Sequence, residues 1–183
     1  MNNHTKRCWV LDDEWGGYPR RLWFPALEAA GYTVEKFSKA SPFVQQVKAR
    51  APCSSGDIAL LDISLDESAP PELGTHSRAV QHALSIKGLF FPFSGQAVGL
   101  WLWQQRKSLR LPYAYISSHP GLFMDGVEVS GSDPEFGFNR ASSSDWFPLM
   151  CERGKEGNIV VHFEAVMTRW QEGGWLPCSG DLP

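Results

Sequence analysis

Four groups of polar residues stand at the ends of apolar runs, and their types point to one chemistry. Arg7–Leu11 ends in Asp12-Asp13-Glu14, and Ile58–Ile63 carries Asp62. Leu111–Ile116 ends in Ser117-Ser118, and Glu135–Asn139 is followed by Arg140. Carboxylates a few ångströms apart repel, and one takes up a proton unless a cation neutralises them. A hard divalent ion such as Mg²⁺ suits carboxylate oxygens, with a backbone carbonyl and waters completing its octahedron. Mg²⁺ beside Asp62 would also offset the charge of an incoming phosphoryl group. Arg140 and the hydroxyl of Ser117 then supply a charge-assisted pair and a hydrogen bond to phosphoryl oxygens.

These groups share one crevice only if the runs that carry them are parallel strands, because ligands gather outside the carboxyl ends of such strands. The order of elements supports that. Arg7–Leu11 reads as a buried strand. Pro19 suits the first turn of a helix that carries Leu22, Trp23, Ala26, Leu27 and Ala30 and stops at Gly31. Tyr32–Phe37 alternates as a second strand, and Ser41-Pro42 opens a helix with Ser41 as its N-cap and Phe43, Val44, Val47 and Ala51 as its apolar face. Ile58–Ile63 is continuously apolar, as a strand buried on both faces is. This β-α-β-α-β order calls for an α/β, doubly wound sheet.

Residues 66–95 break the rhythm with Pro70, Pro71, Gly74, Gly88, Pro92 and Gly95, and read as a structured loop with a short helix around Ser77–Ile86. Gln96–Leu109 is helical, Leu111–Ile116 is a fourth strand, and Glu135–Asn139 is a fifth. Ser143 caps a helix through Leu149. Asn158–Gln171 is a further helix with Ile159, Val160, Phe163, Val166, Met167 and Trp170 on one stripe. Gly173–Pro183, rich in Gly and Pro, reads as a flexible tail.

Composition narrows the function. The 183 residues carry 17 basic and 20 acidic side chains mixed along the chain, for a net charge of −3. No basic block marks a nucleic-acid partner. No apolar run approaches the ~20 residues of a membrane span, and the polar start lacks the apolar core of a signal peptide. A cytoplasmic location is expected. Cys8, Cys53, Cys151 and Cys178 form no metal-binding pair and read as small buried residues plus one thiol in the tail. Most of the eight tryptophans belong in the core.

The chain resembles the receiver domains of two-component response regulators. The resemblance spans roughly residues 6–150. It rests on Leu11-Asp12-Asp13-Glu14, on Asp57-Ile58-Ala59-Leu60-Leu61-Asp62-Ile63, and on Ala26-Leu27-Glu28-Ala29-Ala30-Gly31-Tyr32-Thr33-Val34. It implies a five-stranded parallel sheet of flavodoxin/CheY-like order 2-1-3-4-5 in a single domain over 6–183. It makes 66–95 an insert after the acceptor strand and 158–171 an additional C-terminal helix. It also implies that Asp62 is the phospho-acceptor, that Asp12, Asp13, Asp62 and the backbone carbonyl of Ser64 hold Mg²⁺, and that Ser117 is the switch hydroxyl. Arg140 stands for the family lysine, with Ala141 in place of the usual proline, and Arg and Lys differ in bulk and hydrogen-bonding geometry. The partners implied are a histidine kinase or phosphotransfer protein and a protein output partner. No separate output domain is expected, and no enzymatic activity beyond slow self-dephosphorylation. The family's fourth helix is reduced to the segment 120–134. Two alternatives stay open: a receiver-like interaction module that is not phosphorylated, and a Mg²⁺-dependent phosphohydrolase, for which Asp12-Asp13-Glu14 is an imperfect match.

Overall fold

A computed structural model describes residues 6–14, 19–86, 88–90, 92–117, 150–152 and 159–175. The chain runs through β1 (Lys6–Leu11), α1 (Pro19–Ala29), β2 (Tyr32–Phe37), α2 (Ala40–Arg50), β3 (Ile58–Asp62) and β4 (Ser64–Leu65). A 3-10 turn at Pro71–Leu73 leads into α3 (Gly74–Ile86). Then come β5 (Phe93–Ser94), α4 (Gly95–Gln104), α5 (Arg106–Leu109), β6 (Tyr113–Ser117), β7 (Met150–Glu152) and α6 (Ile159–Glu172).

Five strands form one sheet in the order β2-β1-β3-β6-β7, and each neighbouring pair is parallel. Parallel sheets need cover on both sides. Every residue of β3 and β6 is buried, and since successive residues point to opposite faces, both faces of these strands are covered. α1 packs on β2 and α6, α2 lies against β1 and β2, and α4 against β3 and β6. The α/β architecture expected from the alternating elements is present.

The stretch 66–95 is more ordered than a loop. It carries α3, a helix of 13 residues, which packs on α4 rather than on the sheet. That placement explains the composition of α4. Ala97, Val98, Leu100, Trp101, Leu102 and Trp103 are all buried, because a helix sandwiched between a sheet and another helix is apolar all round. The apolar knot before it divides: Phe93 is buried, whereas Phe90 is 77% exposed.

Other expectations are corrected. The helix expected over Gln96–Leu109 is interrupted at Gln105 and ends at Arg110, whose left-handed backbone (φ 55°) closes α5. Ser41 is not the N-cap of α2. That position is Lys39, which makes no side-chain cap, and the acceptor for the Ala40 amide comes from Glu67, 2.7 Å away. The sheet position beside β6 belongs to Met150–Glu152. The segments expected as strand Glu135–Asn139, as helix Ser143–Leu149 and as the reduced helix 120–134 lie outside the described residues, as does 176–183.

An aromatic cluster closes the far end of the core. Trp170 meets Trp103, Tyr113 and Trp175 edge to face at centroid distances of 5.7, 5.3 and 5.4 Å, a favoured aromatic geometry. Cys8 and Cys53 are buried thiols. Burial, reinforced by the negative charge of Asp57, pushes the Cys53 thiol up to about 12, so it stays protonated and unreactive. No helix among the described residues is long and apolar enough to cross a membrane.

Candidate functional site

The register of the central strands builds the site. Leu11 of β1 pairs with Leu61 of β3, so the next residue on each strand, Asp12 and Asp62, stand side by side. Residues in register on parallel strands project from the same face. Asp12 is held at that place because its amide donates to the Phe37 carbonyl at 2.9 Å, continuing the β1–β2 ladder by one bond. Its Oδ1 then accepts from the Glu14 amide at 2.9 Å, an Asx turn that folds the chain off the strand end. Asp13 follows on that turn, and its Oδ2 accepts a hydrogen bond from the Asp66 amide. Asp62 Oδ1 accepts from the Ser64 amide at 3.4 Å.

The outcome is one cluster. Asp12, Asp13 and Asp62 each offer a carboxylate oxygen within 4.8 Å of the others. Asp12 and Asp62 are only 4% and 5% exposed. Buried charges of one sign at this spacing require a cation or a proton. Three hard oxygen donors from two adjacent strand ends match the preference of Mg²⁺, Mn²⁺ or Ca²⁺ over that of softer, nitrogen- and sulfur-seeking metals. The donor set therefore fits a hard divalent ion.

The remaining expected residues fall as follows. Ser117 ends β6, buried, one residue beyond Ile116, the partner of Asp62. Ser64 starts β4, two residues past Asp62, and pairs with Ser94 of β5. Arg140 lies outside the described residues. Its placement rested on a strand ending at Asn139, whereas the described strand beside β6 ends at Glu152, and the cation next in sequence is Arg153. Asp57, at the head of the same stretch as Asp62, is structural. It accepts from the amides of Arg7 and Ser54 at 2.9 and 3.0 Å and pairs with the Arg7 guanidinium at 3.8 Å.

Two contributors were missed in the sequence. One is the Asp66 amide, which orients Asp13 through the backbone and so leaves no side-chain signature. The other is Gly95, where a Cβ would stand 1.8 Å from the Asp62 carbonyl oxygen. Only a glycine lets α4 start against the end of β3. The signal was present, since Gly95 and Gly99 are glycines one turn apart in a helix that goes on through Leu100-Trp101-Leu102-Trp103. Gly99 makes the same kind of close approach, to Tyr115.

No family model matches the chain, and no curated protein matches it. Among solved structures the chain is similar to one described as yeast Spc42 trimeric coiled-coil amino acids 181–211 fused to another structure. That likeness has 16% identity and a TM-score of 0.47, covering 94% of this chain and 84% of that one. At that level it bears on neither fold nor function.

Proposed function

We propose that this chain is an atypical receiver: Asp62 accepts a phosphoryl group while a divalent cation, Mg²⁺ by preference, is bound by Asp12, Asp13, Asp62 and the Ser64 carbonyl. The observation that carries the reading is the pairing of Leu11 with Leu61 just before Asp12 and Asp62, which brings two buried carboxylates and Asp13 to one point at the carboxyl end of a parallel sheet. The sheet order β2-β1-β3-β6-β7 supports it when read as the 2-1-3-4-5 order of flavodoxin-like and receiver folds, and on this reading 66–95 is an insert that adds α3 over α4.

The cation supplies charge neutralisation for the phosphoryl oxygens. The protein's own part is positional. An Asp62 oxygen attacks the phosphorus of a phosphohistidine or acyl phosphate. The bond from phosphorus to the leaving nitrogen or oxygen breaks and its electron pair departs with the leaving group, a departing imidazole taking up a proton. The Ser117 hydroxyl donates to a phosphoryl oxygen, and an arginine pairs with the new charge. Arg140 is the arginine assigned by resemblance, and Arg153 is the one that follows the strand beside β6. Partners on this reading are a histidine kinase or phosphotransfer protein and a protein that reads the phosphorylated state.

The test is incubation with an acyl-phosphate donor and Mg²⁺, followed by intact-mass analysis. One acid-labile phosphoryl group per chain is expected in the wild type and none in Asp62→Asn. Arg140→Ala and Arg153→Ala separate the two cations, because the one that matters lowers the labelling rate. Labelling that persists in Asp62→Asn contradicts the assignment, and a wild type that binds Mg²⁺ yet never labels favours an unphosphorylated interaction module.

A further inference from the structure

The segment that follows Asp62 does not leave the site. It crosses the end of the sheet and ties down at three successive points. The Asp66 amide donates to Asp13 Oδ2. Glu67 Oε1 accepts from the Ala40 amide at 2.7 Å. Glu72 Oε1 accepts from the Ser41 hydroxyl at 2.9 Å. The first contact is to the acidic cluster, and the other two are to the opening turn of α2, a helix of 11 residues. Glu67 is the connecting residue. Lys39 offers α2 no side-chain cap, so an amide that a helix leaves without an internal partner is satisfied from the strap, by a carboxylate whose charge also suits a helix N-terminus.

We infer that residues 64–72 form a strap whose docking is coupled to cation binding at Asp12, Asp13 and Asp62, with Glu67 as the positioning residue that transmits the coupling to α2. The inference rests on the cation-site reading given above. Its physical basis is charge and geometry. The Asp66 amide occupies one oxygen of Asp13 and fixes the carboxylate's rotation, leaving the second oxygen for a ligand. The docked strap also brings Asp66 and Glu67 towards a sheet end that already holds three carboxylates. Like charges oppose that approach, and a divalent cation offsets two of the three negative charges and so weakens the opposition. Cation binding therefore favours the docked strap, and by reciprocity a loosened strap weakens cation binding by the same factor. A cation at the strand ends would thus set the order of the α2 N-terminus, on the β2 side of the sheet.

The experiment pairs calorimetric Mg²⁺ titration with amide hydrogen exchange on the full chain. In the wild type, saturating Mg²⁺ should slow exchange about five-fold or more, the low end of typical coupling, in two segments, 38–44 and 64–70. Glu67→Ala should bind Mg²⁺ about five-fold more weakly and lose the Mg²⁺-dependent protection at 38–44. Glu67→Gln, which keeps an oxygen acceptor, should recover most of both. Mg²⁺ binding without any change of exchange in these segments overturns the coupling and leaves the cation site standing, and so does a Glu67→Ala affinity equal to wild type. Absence of saturable Mg²⁺ binding in the wild type removes the cation site and the coupling together.

Discussion

Asp12, Asp13 and Asp62 sit where each raises the cost of the others' charge, and Asp13 is the member that isolates this cost best. It is partly exposed, and its one backbone contact, from Asp66, is of a kind that an asparagine oxygen also accepts. Asp13→Asn should therefore raise stability without divalent ions by about 1 kcal/mol, the water-screened repulsion of two unit charges ~4 Å apart. It should also abolish any extra stability that the proposed Mg²⁺ site gives. Urea unfolding with and without Mg²⁺ checks both, and a variant less stable than wild type under both conditions would show that Asp13 is structural. At this scale the sequence was informative because identity and strand-end position are written in it. Asp12, Asp13 and Asp62 were legible as apolar runs that stop at acids. The Asp66 amide was not legible, since any residue but proline has one. The different duties of Asp57 and Asp62, five residues apart, came only from the hydrogen bonds: Asp57 binds the amides of Arg7 and Ser54.

Among the elements, β1, β2, α2 and β3 follow from pattern, because buried parallel strands and amphipathic helices leave periodic signatures. What escaped was each feature decided by a partner far along the chain. The cap of α2 comes from residue 67, the sandwiching of α4 comes from α3, and the strand beside β6 is three residues long, too short to show a period. The start of α4 gives a direct test. Gly95→Ala forces a methyl into the Asp62 carbonyl, so α4 or β3 must shift. Overpacking of this kind costs about 1–3 kcal/mol, and displacement of Asp62 should weaken Mg²⁺ binding as well. Thermal unfolding and calorimetry read the two effects, and a neutral substitution would contradict the close packing. The strap has a pH signature too. Hydrogen bonding from its own backbone amide, then from the Ser41 hydroxyl, holds Glu72 below its ordinary value of 4.5. A depressed carboxylate stabilises the fold above the unfolded-state value, and that contribution is lost as pH falls through the folded-state value. The acid limb of stability should flatten in Glu72→Gln. An unchanged limb would mean that the Ser41 contact contributes nothing in solution.

Taken whole, the described residues form a parallel sheet in which β3 and β6 are buried on both faces, with the acidic cluster at the carboxyl end of the strands and the aromatic cluster at the other. The fold therefore does not depend on the acidic end for its core, and cation binding would act as added stability. Mg²⁺ at about one hundred times its Kd should stabilise the chain by about 2.7 kcal/mol, or roughly 5–10 °C in Tm for a chain of this length. Absence of a shift in the wild type would argue against a specific site. The central claim is that Asp12, Asp13 and Asp62 form one cation and phosphoryl site. It is tested most directly by a crystal structure grown with Mg²⁺ and a phosphoryl mimic. The mimic is expected to be bonded to Asp62 and one Mg²⁺ to be coordinated by oxygens of Asp12, Asp13 and Asp62, with Ser117 and an arginine facing the mimic. A mimic bound elsewhere, or an Asp62 carboxylate that makes no contact with the ion, would contradict it.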